Sequence, residues 1–334
     1  MSSVVSGFLL LLIAGIANSN FATPMKYTRR WAWENTWLAW TVFALLVIPP
    51  VTTICTVPLL GSVYAQAGWR TVLGIALFGA GWGVAQVFFG LAVDVIGVAL
   101  TFSIVMGISA AVGSLVPLLR LHADRLYTRG GAQLLGGILL MLVGVVFCAF
   151  AGNSRERARK SSNVEGRGNF SVGLLLAVLC GLGASFVNLG LAFGGAVSQA
   201  AVEHGATRFN AVNAIWLPIM VAGAIPNLAY CVFLLRRNHT TAKFQAGGLS
   251  HWALALLMAA LWFGSSILYG LATLYLGPLG TVLGWPLFMS LIVITASVVG
   301  LLTGEWKGSG RAPVMLQCGG VGLLIIAVFV LTRA

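Results

Sequence analysis

Long apolar blocks restrict the possible folds of this sequence more than any other feature. Each block runs for roughly 20 residues or more, the length that an α-helix needs to cross a hydrocarbon core of about 30 Å. Backbone amides find no partners in lipid, so such blocks form helices, whereas the strands of a barrel would alternate polar and apolar residues. We therefore expect an all-α membrane protein with ten transmembrane helices. The predicted spans are 4–22, 37–57, 71–92, 96–119, 131–152, 171–194, 211–235, 251–273, 278–303 and 313–332.

Charged residues are scarce in this chain. They make up 8% of the sequence, whereas a soluble domain carries about 25%. The net charge of +12 would suggest nucleic-acid binding in a soluble protein. Here the basic residues occupy short loops between apolar blocks, where they set topology and contact acidic lipid headgroups. Membrane lipid is therefore an expected partner, and nucleic acid is not.

Neither a metal site nor an enzyme site is expected. The five cysteines fall inside apolar blocks without a CxxC pair, and the four histidines are not clustered, which argues against metal binding and a disulfide framework. The sequence contains no Walker motif and no serine–histidine–acid or paired-carboxylate set at membrane depth. We expect no cofactor and no catalytic activity.

The two halves of the chain resemble each other. Residues 81–101 align without gaps on residues 261–281, and this alignment places Trp82 opposite Trp262. Matched tryptophans flanked by matched glycines make chance similarity an unlikely cause of this pattern. The alignment therefore indicates an internal duplication.

One long hydrophilic loop, 153–170, separates five spans from five spans. A unit of five spans crosses the membrane an odd number of times, so its copy enters the membrane inverted. The sequence thus predicts two inverted five-helix repeats, 1–152 and 171–334, joined by the basic cytoplasmic linker 153–170. Inverted repeats are typical of secondary transporters, which hold substrate between the repeats.

The distribution of basic residues predicts the orientation in the membrane. Of the 19 basic residues, thirteen fall on the side of the linker and six on the side of the N-terminus. Cytoplasmic loops carry the excess of Lys and Arg, so we expect a multi-pass inner-membrane protein with both termini outside. One loop runs against this bias, because it places Arg120, Arg125 and Arg129 on the less basic side.

Aromatic, amide and hydroxyl side chains within the spans are candidate substrate ligands. Trp82 and Gln86 share one helical face of the third span, and Trp262, Ser266 and Tyr269 occupy matching positions on the eighth. An indole can cover the C–H face of a sugar while amides and hydroxyls bind its hydroxyl groups. The pattern predicts a sugar site, and an aromatic packing stripe is the alternative.

The seventh span supplies further candidates. Asn213 and Trp216 lie one turn apart and are followed by Pro218 and Pro226. Prolines free backbone carbonyls and allow the bending seen in broken transporter helices, although a static kink is equally compatible. The remaining candidate contacts, each of which could instead serve helix packing, are Asn20, Asn188 and Trp285.

Proton coupling has four candidate residues. Glu203 and His204 form an adjacent acid–imidazole pair in the loop before the seventh span, and imidazole titrates near neutral pH. Asp94 and Glu34 are carboxylates near span ends. A solvated loop pair and topological charges are the alternatives.

Four segments resemble the bacterial L-rhamnose–proton symporter family of the drug/metabolite transporter superfamily. They are ATPMKYTRRWAWENTW (22–37), FGAGWGVAQVFFG (78–90), PNLAYC (226–231) and GEWKGSGRAPV (304–314). The resemblance covers nearly the whole chain. It implies a ten-helix carrier with two inverted repeats that moves a 6-deoxyhexose into a bacterial cell with protons. The chain differs from that family at Ser265 and Ser266, where the family has a glutamine and an aromatic residue.

The sequence as a whole predicts a proton-coupled importer of a monosaccharide, with L-rhamnose or L-fucose as the cargo. One alternative is a carrier of another small solute, such as a nucleotide sugar, amino acid or drug. A nucleotide sugar would need basic residues around its phosphates, and no Lys or Arg lies well inside a span. The other alternative is a membrane sugar sensor that does not transport.

Overall fold

The computed structural model describes residues 3–159, 169–304 and 306–333. Within these ranges the regular elements are all helical. Half of the predicted linker 153–170, residues 160–168, lies outside the described residues, as does Glu305 in the resemblance segment 304–314. Residues 153–159 continue the helix Arg129–Arg159 and do not form a loop.

Within the described residues, ten helical stretches are long and apolar enough to cross a membrane, which confirms the predicted all-α membrane fold. In chain order, spans 1 to 10 are Val4–Tyr27, Trp33–Thr56, Trp69–Ile96, Leu100–Leu121, Arg129–Arg155, Phe170–Glu203, Asn213–Arg237, Gly248–Tyr275, Gly277–Leu302 and Arg311–Leu331. A short helix, Leu60–Ala67, lies between spans 2 and 3.

Span 6 is longer than predicted and is made of three helices. These are Phe170–Ala184, Phe186–Phe193 and Gly195–Glu203. The sequence predicted that this span ends at residue 194. The helix restarts because the following stretch is rich in alanine, a strong helix former, and because the Gly194 carbonyl accepts the amide of Val197 at 2.9 Å. Glu203 therefore ends a helix and does not lie in a loop.

The described helices form two compact units. Unit 1 comprises Met1–Val87 and Phe186–Tyr275, and unit 2 comprises Phe88–Ser185 and Leu276–Ala334. Each unit therefore combines segments from both halves of the chain. Spans 3 and 6 contribute to both units.

Unit 1 is held together partly by a close approach of spans 3 and 7. Gly79 and Gly83 are four residues apart on one face of span 3. A Cβ atom added to Gly79 would lie 2.1 Å from the Ile219 carbonyl oxygen, and one added to Gly83 would lie 2.4 Å from that of Gly223. Backbones pack this closely in membrane proteins where small residues recur at this spacing.

Span 7 continues as one helix through Pro218 and Pro226. Pro218 lacks the N–H that would bond the Ala214 carbonyl in a regular helix, and the Tyr64 hydroxyl donates to that carbonyl at 2.9 Å instead. Burial raises the pKa of Tyr64, so its phenol keeps the proton that it donates. The prolines are thus accommodated without a break in the helix.

Span 2 is irregular around Pro49 and Pro50. Its helices Trp33–Thr41 and Ile48–Thr56 are joined by the π-helical segment Val42–Val47. Such segments are rare and often occur at functional sites. The irregularity lies between the tryptophan-rich start of the span and its proline pair.

Unit 2 is built around spans 5 and 10, which pack along each other. A Cβ atom on Gly320 would lie 2.6 Å from Cys148 Sγ, and one on Gly144 would lie 3.0 Å from the Gly320 carbonyl oxygen. Gln317 adds a bond to span 9 by donating to Ser297 Oγ at 2.6 Å. Small residues and buried hydrogen bonds thus hold these spans together.

Candidate functional site

A row of polar side chains on span 8 lies at the centre of unit 1. Tyr269 is 1% exposed, and its hydroxyl donates to Asn188 Oδ1 on span 6. Ser265 accepts a hydrogen bond of 2.8 Å from Asn18 Nδ2 on span 1. Two side-chain hydrogen bonds therefore connect span 8 with spans 1 and 6. Polar groups buried among apolar spans need such partners, because unpaired ones are costly.

The two predicted stacking tryptophans lie against each other. The rings of Trp82 and Trp262 are stacked, with centroids 5.3 Å apart and an interplanar angle of 20°. Trp82 is 4% exposed and also packs against Gly223, where an added Cβ would lie 2.8 Å from Trp82 Cε3. In this conformation the indoles cover each other, so they form one aromatic wall.

Span 2 extends this wall with tryptophans that were not predicted as site residues. Trp40 meets Trp262 edge-on at 5.3 Å, Trp37 lies 4.6 Å from Trp40, and Trp33 stacks on Trp37. Trp40 is 1% exposed, and its indole N–H has no hydrogen-bond partner among the described residues. The i, i+4, i+7 spacing of Trp33, Trp37 and Trp40 places them on one helical face. That spacing was the signal that could have identified them.

Gln86 and Ser266 are close to the wall along the chain. Gln86 is half-buried and lies one turn from Trp82 on span 3. The Ser266 hydroxyl donates to the Trp262 carbonyl at 3.3 Å, which leaves its oxygen able to accept. Ser265 donates to the same carbonyl at 2.6 Å. This part of unit 1 therefore offers uncharged donors and acceptors.

Asn213 and Trp216 make contacts between helices. Asn213 Nδ2 donates to Thr56 Oγ1 at 3.0 Å, which links span 7 to span 2. Trp216 is fully buried, and a Cβ added to Gly270 would lie 3.2 Å from its Nε1. Asn20 donates to the carbonyl of Ile16 in its own helix at 2.9 Å. All three candidates lie in unit 1, where Asn213 and Trp216 take part in packing between helices.

Trp285 and Asp94 belong to unit 2. Trp285 Nε1 donates to the Ser109 carbonyl at 2.9 Å, and its ring fills the space beside Gly113. Asp94 is exposed near the end of span 3.

The acidic candidates of unit 1 differ in their environments. Glu203 is exposed and accepts hydrogen bonds from Gln66 and Gln199, whereas His204 Nδ1 contacts the Ala200 carbonyl. The two residues therefore bind different partners despite being adjacent in sequence.

Glu34 lies in the first turn of span 2 and is 5% exposed. It accepts hydrogen bonds from Thr240 Oγ1 at 2.6 Å and from Asn238 Nδ2 at 3.0 Å. Asn35 donates to the Thr240 carbonyl at 3.0 Å. Glu34 and Asn35 together hold the loop that follows span 7.

Comparison with known proteins identifies the family. The model of the L-rhamnose-proton symport protein (RhaT) family matches residues 1–333. An L-rhamnose-proton symporter of Yersinia pestis (strain Pestoides F) is 29% identical over an alignment of 340 positions, which covers 98% of this chain and 96% of the relative. An L-rhamnose-proton symporter of Citrobacter koseri is 28% identical over an alignment of 336 positions, with the same coverage of both chains. This chain therefore belongs to the L-rhamnose-proton symport protein family, whose members are proton-coupled sugar transporters and not enzymes.

Proposed function

We propose that this protein imports a 6-deoxyhexose with protons by alternating access, with L-rhamnose as the first candidate cargo and L-fucose as the second. The observation that carries the proposal is the row of hydrogen-bonded polar groups on span 8 beside stacked indoles. Ser265 is bonded to Asn18, and Tyr269 is bonded to Asn188. Family membership supports sugar and protons as the transported species.

The chemistry of this region suits an uncharged sugar. Its side chains are amides, hydroxyls and indoles, which can exchange their mutual hydrogen bonds for bonds to sugar hydroxyls. A 6-deoxyhexose presents a methyl group where a hexose presents a hydroxyl. A methyl group can be buried against an indole without a partner, whereas a buried hydroxyl requires one. An apolar surface at this position would therefore favour the deoxy sugar over the corresponding hexose. The expected preference is at most about a hundredfold in affinity.

Sugar binding requires the tryptophan stack to open. Trp82 and Trp262 now cover each other, so a sugar can reach the indole faces that these rings share only after the rings separate. Each indole would then exchange its partner ring for the C–H face of the sugar. Gln86, Ser266, Tyr269, Asn188 and Asn18 are the proposed hydroxyl ligands. Asn213 and Trp216 are proposed to support this site through helix packing within unit 1, and the sugar contacts predicted for Asn20 and Trp285 stay predictions.

Glu34 is the proposed proton carrier. Of the four candidates it alone is buried, while Asp94 and Glu203 are exposed. Ionisable groups shielded from water within membrane spans are commonly functional. Protonation would weaken the two hydrogen bonds that Glu34 accepts from Asn238 and Thr240, and would so loosen the loop after span 7.

The predicted repeats and orientation complete the proposal. Two inverted repeats, 1–152 and 171–334, would supply the pseudo-symmetry that alternating access uses. The protein would lie in the inner membrane with both termini outside, because thirteen of the 19 basic residues then face the cytoplasm.

Site-directed labelling tests the orientation. Single cysteines at Thr241 and Tyr127, introduced without the exposed Cys55 and Cys318, should react with a membrane-impermeant maleimide from opposite sides. We expect Thr241→Cys to react only in inverted vesicles and Tyr127→Cys in intact cells. The reverse pattern would place both termini inside.

Counterflow in proteoliposomes tests the transport function. Vesicles loaded with unlabelled L-rhamnose should transiently accumulate external labelled L-rhamnose. External L-fucose should compete, and D-glucose should not. An inward proton gradient should drive net uptake that a protonophore abolishes. Binding of L-rhamnose without counterflow would instead identify a sensor, and no response to either deoxy sugar would reassign the cargo.

A further inference from the structure

The loop between spans 4 and 5 has a charge that topology does not explain. Arg125 lies in this loop, and Arg120 and Arg129 lie at the adjoining ends of spans 4 and 5, all on the side of the membrane predicted to carry fewer basic residues. A single acidic residue, Asp124, lies among them, and its Oδ2 is 3.4 Å from Arg125 Nε. The loop is thus strongly cationic where the overall bias predicts little positive charge. The proposed sugar site lies in unit 1 and gives these unit 2 residues no role.

Two of these three arginines line a cavity of about 270 Å³ in unit 2. Arg125 and Arg129 contribute its charged part. Four leucines contribute to the rest of the lining: Leu118, Leu134, Leu279 and Leu283. The cavity therefore combines positive charge with an apolar wall, and Arg120 does not line it.

The charged part of the cavity can bind an anionic oxygen group. Both arginines are exposed, and a guanidinium binds phosphate oxygens through paired N–H groups. Thr128 and Gly130 also line the cavity at the start of helix Arg129–Arg159. The first turn of this helix contains no acidic residue, so the positive end of the helix dipole adds to the attraction of the arginines.

The apolar part of the cavity indicates what accompanies the anionic group. Leu118 and Leu134 are buried at the ends of spans 4 and 5, and Leu279 and Leu283 lie one turn apart at the start of span 9. A free phosphate ion gains nothing from leucines, whereas an acyl chain does. Tyr127 on the same loop is 92% exposed, as expected of an aromatic residue at headgroup depth.

We propose that this cavity binds an anionic phospholipid. The phosphodiester of the lipid lies between Arg125 and Arg129, and the first part of its acyl chains lies against the half-buried Leu279 and Leu283. This site would explain why a cationic loop is present on the less basic side of the membrane. It is independent of the proposed sugar transport.

Thermal unfolding of the full-length protein in a neutral detergent tests this proposal. Phosphatidylglycerol should raise the unfolding temperature in proportion to the logarithm of its concentration above its dissociation constant. Phosphatidylcholine should raise the unfolding temperature far less. High salt should reduce the difference, because it screens exposed charges.

Two double variants distinguish binding of the lipid in the cavity from its general attraction to the positively charged protein surface. Arg125→Gln/Arg129→Gln should weaken phosphatidylglycerol binding roughly fivefold for each arginine, and so about 25-fold for the pair. Arg70→Gln/Arg120→Gln removes the same charge from the same predicted side without altering the cavity lining, and it should bind like the unmodified protein. An equal loss in both double variants would overturn the proposal.

A third variant separates lipid from free phosphate. Leu283→Gln should weaken binding of phosphatidylglycerol while leaving any effect of inorganic phosphate unchanged. Protection by millimolar inorganic phosphate equal to that by the lipid would show a simple anion site and refute the lipid. Counterflow of L-rhamnose in phosphatidylcholine vesicles, measured in parallel, reports on the sugar proposal separately.

Discussion

Trp262 is the residue on which most contacts of the candidate sugar site converge. Its ring stacks on Trp82 and meets the edge of Trp40, and its carbonyl accepts hydrogen bonds from Ser265 and Ser266. A change at this position affects both the aromatic wall and the neighbouring polar row. No other residue described in unit 1 joins these two parts of the site so directly.

Truncation of Trp262 should abolish transport without unfolding the protein. Trp262→Ala removes the indole surface, so we expect loss of L-rhamnose counterflow. Trp262→Phe keeps an aromatic face and should retain part of the counterflow activity. Trp252→Ala is the matched control, since Trp252 lies on the same helix but packs against Phe244 in another aromatic cluster. Normal counterflow by Trp262→Ala with a monodisperse elution profile would exclude Trp262 from the site.

Neutralisation of Glu34 should uncouple sugar movement from protons. Glu34→Gln keeps an oxygen that can accept from Thr240 and Asn238, but it cannot take up a proton. We therefore expect counterflow to continue while a proton gradient no longer drives accumulation. Glu203→Gln, at an exposed carboxylate, should accumulate sugar normally. Accumulation by Glu34→Gln equal to that of the unmodified protein would assign the proton elsewhere.

For the candidate site, the sequence allowed residues to be proposed but not the partners to which they bond. Tyr269 and Asn188 were both predicted ligands, but nothing in the sequence showed that they bond to each other across 81 residues. Asn18 and Ser265 are 247 residues apart and form the second such bond. Helical periodicity shows which side chains share a face of one span. It contains no information on which two spans are neighbours.

At the scale of elements, the glycine pair on span 3 determines how close Trp82 comes to span 7. Gly79 and Gly83 bring the two backbones together, and Trp82 lies between these glycines in sequence. Gly83→Ala should therefore destabilise the protein by about 1–3 kcal/mol through overpacking. Gly74→Ala is the control, because an added Cβ there meets nothing within 4 Å. Equal unfolding temperatures in detergent for both variants would show that spans 3 and 7 are not in tight contact.

The existence of the spans was easier to predict than their internal course. All ten spans were predicted because runs of apolar residues have few alternatives in lipid. The π-helical segment Val42–Val47 was not predicted, because its local sequence is that of an ordinary apolar helix. The course of span 7 through Pro218 depends on Tyr64, which supplies the donor to the Ala214 carbonyl. Such compensation comes from residues that are distant in sequence.

At the scale of the whole molecule, the compact units do not coincide with the halves of the chain. Unit 1 needs Met1–Val87 from the first half and Phe186–Tyr275 from the second, and unit 2 is likewise shared. Each half alone would therefore leave apolar faces uncovered and would lack one partner of polar pairs such as Asn18–Ser265. The halves are expected to be interdependent in folding.

Expression of the two halves as separate chains tests this interdependence. Residues 1–152 and 171–334, produced together, should assemble and restore L-rhamnose counterflow, because the omitted residues 153–170 include only the last three residues of span 5 and the first residue of span 6. Either half produced alone should be degraded or aggregate. An intact chain cut by a protease at an inserted site within 153–170 is the control, since its helices are already packed before cleavage. Stable, monodisperse accumulation of one half alone would show that a repeat folds independently, and it would contradict the division into two shared units.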